Sequence, residues 1–292
     1  CDLGWREGLV EHSHGAMRRD VLELRQFYAS DLGRAARAMV GRKVLEAWGD
    51  ARGLDVLALG YATPFVATQR HAARRVVGAM PAQQGVEIWP GGEPNLTTLV
   101  GEDSLPFTNA LFDRVLVVHG LEESPDAIAL LREVWRVLAP SGRVIVAVTA
   151  RNGLWANTER TPFGHGRPYS RAQLAELLRE AELEPSGWTR ALYVPPVNWL
   201  AGWAEGFEQT GSRLWPGFAG LLLMEAVKQT FAVKPRGLAA RVRRVNPLLA
   251  PSPAPSGAPF SQARDGRSRR GLLEGGGESL SVGRKTNRKA AP

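Results

Sequence analysis

Asp55-Val56-Leu57-Ala58-Leu59-Gly60-Tyr61-Ala62-Thr63-Pro64-Phe65 is the stretch on which the reading of this 292-residue chain turns. An apolar run stops at a glycine, and the residues that follow carry helix-start signals: Thr63 as an N-cap and Pro64 at the first helical position, where a missing N–H costs nothing. A buried strand feeding a helix through a glycine turn is the strand-turn-helix of a nucleotide-type site, because the turn and the helix N-terminus offer free backbone N–H groups.

Elements on either side continue the pattern. From Asp20 to Trp48 the apolar positions fit two helical pieces broken near Ser30-Asp31. Phe65 to Arg74 reads as a helix and Arg75 to Met80 as a second strand ended by Pro81, which completes a βαβ unit. Phe112 to His119 and Arg143 to Thr149 are further apolar strands. A helix lies between them, opened at Ser124-Pro125-Asp126 and stopped at Pro140-Ser141-Gly142. Ser170-Arg171-Ala172-Gln173 has capping-box spacing ahead of an apolar stripe at Leu174, Leu177, Leu178 and Ala181. Trp188 to Val194 and Ala219 to Glu225 read as closing strands. Such alternation predicts a doubly wound, Rossmann-like α/β sheet. Trp199, Trp203 and Phe207 fall four residues apart and read either as a helix packed on the sheet or as a lid over the cleft.

Charge divides the chain. Residues 234–292 hold 13 Lys and Arg against Asp265, Glu274 and Glu278, whereas residues 1–233 hold 24 basic and 26 acidic residues. The basic segment also carries Pro251 to Pro259 and Gly275 to Gly277 with few large apolar residues, so it reads as a disordered tail that lacks the surface to offset its ordering entropy. A solvated appendage is the plain reading of that tail, and docking on nucleic acid or an anionic surface is the other. Residues 1–16 read as an extension, 17–233 as the folded domain. With Cys1 as the one cysteine there is no intrachain disulfide and no thiolate metal cluster, and five scattered histidines give no metal-ligand spacing. No apolar run reaches the roughly 18 residues of a membrane span, which places the expected location in the cytoplasm.

The order of later motifs resembles the class I S-adenosylmethionine-dependent methyltransferases, in particular small-molecule or lipid-type domains. It is carried by Asp55 to Gly60, by Leu105-Pro106-Phe107 with Phe112-Asp113, by His119-Gly120-Leu121-Glu122, and by Leu131 to Arg143 (LREVWRVLAPSGR). The resemblance covers residues 50 to 150 and extends to about 230. It implies a seven-stranded sheet with the last strand antiparallel and S-adenosylmethionine across the C-terminal ends of the first strands. It implies too that Gly60, Tyr61 and Ala62 lie against the methionine part of the cofactor, Met80 at the ribose position, and Glu102 and Asp103 beside the adenine.

Two departures stand out. The usual G-x-G turn reads Gly60-Tyr61-Ala62, adding a Cβ where close approach is wanted. The acid that normally ends strand two is replaced by Met80, which accepts no hydrogen bond from a ribose hydroxyl. His119 is the candidate catalytic residue, as a group facing the transferred methyl or as a base; a strand-end histidine with a satisfied hydrogen bond is the alternative. Arg160, His165, Arg167 and Tyr169 lie in a loop suited to an anionic substrate or to packing. The functional expectation is methyl transfer to an unidentified acceptor, set against a degenerate relative that keeps the fold as a binding or regulatory partner.

Overall fold

The computed structural model describes residues 18–197 and 219–229. The expected extension at 1–16, the Trp199–Phe207 stripe and the basic tail lie outside the described residues. Helices α1 (Val21–Ala29) and α2 (Asp31–Trp48) meet at Ser30, whose hydroxyl caps α2 by accepting from the Gly33 N–H. Strand β1 (Asp55–Gly60) follows, buried at every position. Helix α3 (Thr63–Val66) is a single turn continued by a 3₁₀ turn over Ala67–Gln69, shorter than the helix expected to Arg74. Thr63 does not cap it: Ala62 holds the cap position without a side-chain bond, and Pro64 sits in the first turn as expected.

Next come β2 (Arg75–Pro81), β3 (Thr97–Val100), β4 (Phe112–Val118), α4 (Ala127–Val137), β5 (Leu138–Thr149), α5 (Arg171–Glu180), β6 (Leu183–Ala191) and β7 (Leu221–Lys228). The four-residue β3 was not anticipated, because Thr97-Thr98-Leu99-Val100 is too short to show a period. Asp126, not Ser124, caps α4, accepting from the N–H groups of Ile128 and Ala129. Closing strand β6 begins five residues before the expected Trp188, since a half-exposed strand lacks the apolar run that marks a buried one.

The sheet order is β3-β2-β1-β4-β5-β7-β6, with β7 antiparallel to both neighbours and the other pairs parallel. The chain therefore leaves β1 toward β2 and β3, then crosses back to β4 on the other side of β1. That reversal opens a crevice at the carboxyl ends of the strands. Because side chains alternate, Val56 and Ala58 enter the core under α1 and α2, while Leu57 and Leu59 enter the core under α4 and α5.

The last strand carries a buried charge. Glu225 of β7 is fully buried, and it accepts from Arg143 at 3.2 Å and from the Ser186 hydroxyl at 3.0 Å. Helix α5 is held by the expected capping box, with Gln173 N–H donating to the Ser170 hydroxyl and Ser170 N–H donating to the Gln173 side chain. Ser170→Ala removes one half of that box and is expected to lower unfolding free energy by about 1 kcal/mol, read as a lower urea midpoint at unchanged slope.

Candidate active site

The crevice is built on the end of β1. Gly60 adopts φ +76°, and a Cβ there would meet the Val118 carbonyl oxygen at 2.3 Å. The next amide, Tyr61 N–H, donates to that same oxygen at 2.8 Å. His119, which follows Val118, is itself left-handed at φ +50°. The ends of β1 and β4 are thus pressed together as two tight turns, and glycine is required at Gly60 by its left-handed φ and the approach of the Val118 carbonyl.

An aromatic layer covers these turns. Tyr61 stacks on Tyr28 of α1, with ring centroids 5.6 Å apart, and Phe65 meets the Tyr28 ring edge-on at 5.4 Å. The Tyr28 hydroxyl is hydrogen-bonded to His119 Nε2 at 2.7 Å, and Phe163 packs on the His119 ring at 4.7 Å. All of these side chains are buried, as are Ala62 and Met80. Burial, and next the Glu87 carboxylate, push the Tyr61 hydroxyl above its usual range, while burial lowers the His119 imidazole to about 3, helped by the Arg18 charge. His119 is therefore a neutral imidazole with a tyrosine partner at neutral pH.

Beside this layer lies a cavity of about 350 Å³ at the ends of β2 and β3. Glu102 and Asp103 line it, together with Gly101, Gln83, Ser124 and Arg18. Gly60, Tyr61, Ala62, Met80 and His119 are not among its walls. Sequence reasoning missed Arg18, which lies two residues before the α1 cap and looks like surface charge. Its guanidinium donates to Glu102 Oε1 at 2.5 Å and to the Gly120 carbonyl at 2.8 Å, and Glu123 lies 3.7 Å away. The chain ahead of α1 is thereby fastened over the crevice, and Val21 N–H adds a bond to the Gln84 carbonyl.

On the other side of α1 is a larger cavity of about 790 Å³, whose described walls include Arg19, Phe27, Arg160 and Pro162. Of the loop residues singled out for an anionic substrate, Arg160 reaches this cavity, while Tyr169 lines a third, smaller one. His165 contacts Arg19 and the Glu159 carbonyl. Arg167 donates its N–H to the Glu122 carbonyl and lies over the Tyr169 ring. Glu122 closes the His119–Glu122 motif but was given no role in the sequence reading. It is buried, its Oε1 accepts from Thr149 N–H at 3.1 Å, and its Oε2 has no partner among the described residues. Burial raises its carboxyl to about 7.

Against known proteins, residues 44–146 match the family model described as a methyltransferase domain. The chain carries a methyltransferase domain. Among curated proteins, that domain is similar to a demethylmenaquinone methyltransferase of Lactococcus lactis, 31% identical over 118 residues, 37% of this chain and 47% of the relative. It is also similar to YafE of Escherichia coli, an uncharacterized protein, 35% identical over 97 residues, 30% of this chain and 47% of the relative. The chain spans about half the length of these relatives.

Two solved structures share the fold of the methyltransferase domain. One is a SAM-dependent methyltransferase of Thermotoga maritima (TM-score 0.51, 19% identity, 72% of this chain and 96% of that one). The other comes from the Haloferax volcanii complex between the Trm112 methyltransferase activator and a methyltransferase (TM-score 0.52, 18% identity, 73% and 99%). The class I fold, with its last strand antiparallel, is thus the one the motifs implied.

The two buried titratable groups give the methyltransferase domain opposite pH responses. The His119 value in the fold lies below its usual 6.5, so the unfolded chain binds more protons and stability falls as pH drops from about 6.5 toward 3. The Glu122 value lies above its usual 4.5, so its contribution is present below 4.5 and is lost as pH rises through about 7. Proton NMR should find the His119 imidazole still neutral at pH 5, and titration near 6.5 would contradict its burial. Because the two responses offset each other between about pH 4.5 and 6.5, Glu122→Gln should turn a nearly flat urea stability profile in that window into one that rises with pH.

Proposed function

We propose that the domain binds S-adenosylmethionine at the carboxyl ends of β1 to β4 and transfers its methyl group to an acceptor not yet identified. The carrying observation is the 350 Å³ cavity walled by Glu102 and Asp103, within the size range of small-molecule sites and at the reversal of strand order. The residues present suit the adenosine portion of the cofactor. Asp103 offers carboxylate acceptors, and Gly101 and Ser124 leave the walls small and polar.

Two buried polar atoms outside the cavity walls also lack partners among the described residues: Thr63 Oγ1, at the start of α3, and Gln84 Oε1, on the loop after β2. The Thr63 methyl group lies so close to Gly78 of β2 that a Cβ there would come within 2.7 Å of it. Gln84 reaches the His119 carbonyl through its Nε2 at 3.4 Å. An orphaned buried oxygen costs about 1 to 3 kcal/mol. Glutamine can do what Met80 cannot, since its amide oxygen accepts hydrogen bonds.

When bound, S-adenosylmethionine supplies a methyl group on a positively charged sulfur, open to in-line attack. The protein's part is positioning and exclusion of water. Arg18 ties the α1 segment over Glu102, and the Tyr28–Tyr61–Phe163 layer keeps the end of β1 dry. His119 is neutral and paired with Tyr28, so its role in this reading is to hold Tyr28 against the turn.

A reading as a binding or regulatory domain without turnover is favoured by one observation, the aromatic packing that keeps the cavity from reaching Gly60. Calorimetric titration of the full chain with S-adenosylmethionine and S-adenosylhomocysteine tests both. Saturable binding is expected, and Asp103→Ala should weaken it roughly fivefold, the loss of about 1 kcal/mol of hydrogen bonding. No heat at millimolar ligand would overturn the cofactor reading; binding without methylation of any acceptor in a small-molecule panel would favour the second.

A further inference from the structure

Three loops wall the 350 Å³ cavity, and one short segment is bonded to all of them. Gln83 comes from the loop after β2, Gly101, Glu102 and Asp103 from the loop after β3, and Ser124 from the loop after β4. Residues 18–21 enter α1 across these loops. Val21 N–H donates to the Gln84 carbonyl at 2.8 Å, Arg18 donates to Glu102 Oε1 and to the Gly120 carbonyl, and Arg19 N–H donates to Glu123 Oε2 at 2.9 Å. Arg18 is itself one of the cavity walls.

Stability alone is a poor account of this arrangement. The Arg18 side chain is 2% exposed and that of Glu102 12%, so both charges leave water, and the desolvation cost offsets much of their attraction. The guanidinium is also incompletely paired. Its Nε–H has no hydrogen-bond partner among the described residues, and Glu123 Oε2, 3.7 Å away, is too distant to accept. Helix α1 is already seated on the core by Val21, Leu24 and Tyr28. What the pair accomplishes is local: Arg18 engages Glu102 Oε1 while the Ser124 hydroxyl donates to Oε2 at 3.1 Å, so one carboxylate ties the loops after β3 and β4 to each other and to the segment above them.

We propose that Arg18 is a positioning residue for the ligand of this cavity, and that residues 18–21 are a strap whose closure is coupled to occupancy. With the Arg18–Glu102 pair made, the three loops are held at the spacing the ligand needs, and a ligand between them in turn holds the strap down. The proposal rests on the reading that the cavity takes S-adenosylmethionine, which supplies the probe. Such coupling is reciprocal: the factor by which a closed strap tightens ligand binding is the factor by which bound ligand suppresses opening of the strap.

The test joins two measurements on the full chain. Calorimetric titration with S-adenosylhomocysteine is run on wild type, Arg18→Gln and Arg18→Lys, and tryptic cleavage after Arg18, read by mass, on wild type and Glu102→Ala. A buried arginine cannot enter a protease site until the strap opens, so the rate of that cut follows the open population. Arg18→Gln is expected to weaken binding roughly tenfold, with part of the loss restored in Arg18→Lys. Saturating ligand should slow the wild-type cut by a similar factor, and Glu102→Ala should speed it roughly tenfold without ligand. An arginine that served the fold alone would lower the urea midpoint without moving either the dissociation constant or the protection by ligand. Wild type that binds while Arg18→Gln binds as tightly or tighter, or a cut that saturating ligand leaves unchanged, would overturn the strap and leave the cofactor reading standing. No heat from wild type would overturn the cofactor reading, and the strap would then fall if Glu102→Ala and wild type were cut at equal rates.

Discussion

The contact between Gly60 and the Val118 carbonyl governs how this molecule is arranged. Two parallel strands that end together must turn away from each other, and here they do so with a left-handed glycine on one side and a left-handed histidine on the other. That contact fixes where Tyr61 begins and where His119 sits, and so decides what stands above the sheet. The aromatic layer of Tyr28, Tyr61, Phe65 and Phe163 is a consequence of it, since the rings fill the space the two turns leave.

Polar groups then define the crevice around that apolar layer. Arg18, Glu102 and Glu123 fasten the start of α1 on one side, and His119 and Glu122 are both buried deeply enough that burial outweighs every other influence on their protonation. Their shifts run in opposite senses, but in both cases the low-dielectric surroundings disfavour the charged form. Neither His119 nor Glu122 is among the walls of the Glu102–Asp103 cavity. Methyl transfer by positioning is consistent with that, because in-line displacement asks chiefly for alignment.

Much of the fold was legible in the chain. Continuous apolar runs at Val56–Leu59, Val115–Val118 and Val144–Val148 mark strands buried on both faces, and the Ser170–Gln173 capping box marks a helix start to the residue. Strand β3 was not legible, because four residues carry no period, and α3 ended early because its register is set by packing against β1 rather than by propensity. Of the residues named from the motif order, Glu102 and Asp103 line the cavity, while Gly60, Tyr61, Ala62 and Met80 are buried outside its walls. Arg18 gave no local signal and Glu122 only its place in the His119–Glu122 motif, since a buried ion pair spanning 84 residues and a carboxylate left half-satisfied exist only once the sheet is assembled.

The most direct test of the account is to map backbone amide shifts of the labelled full chain as S-adenosylhomocysteine is added. The largest changes are predicted at Gly101, Glu102, Asp103 and Ser124, with Gly60 and Tyr61 following where the aromatic layer adjusts. Shifts confined to the Arg19 and Arg160 cavity, or none at all, would contradict it.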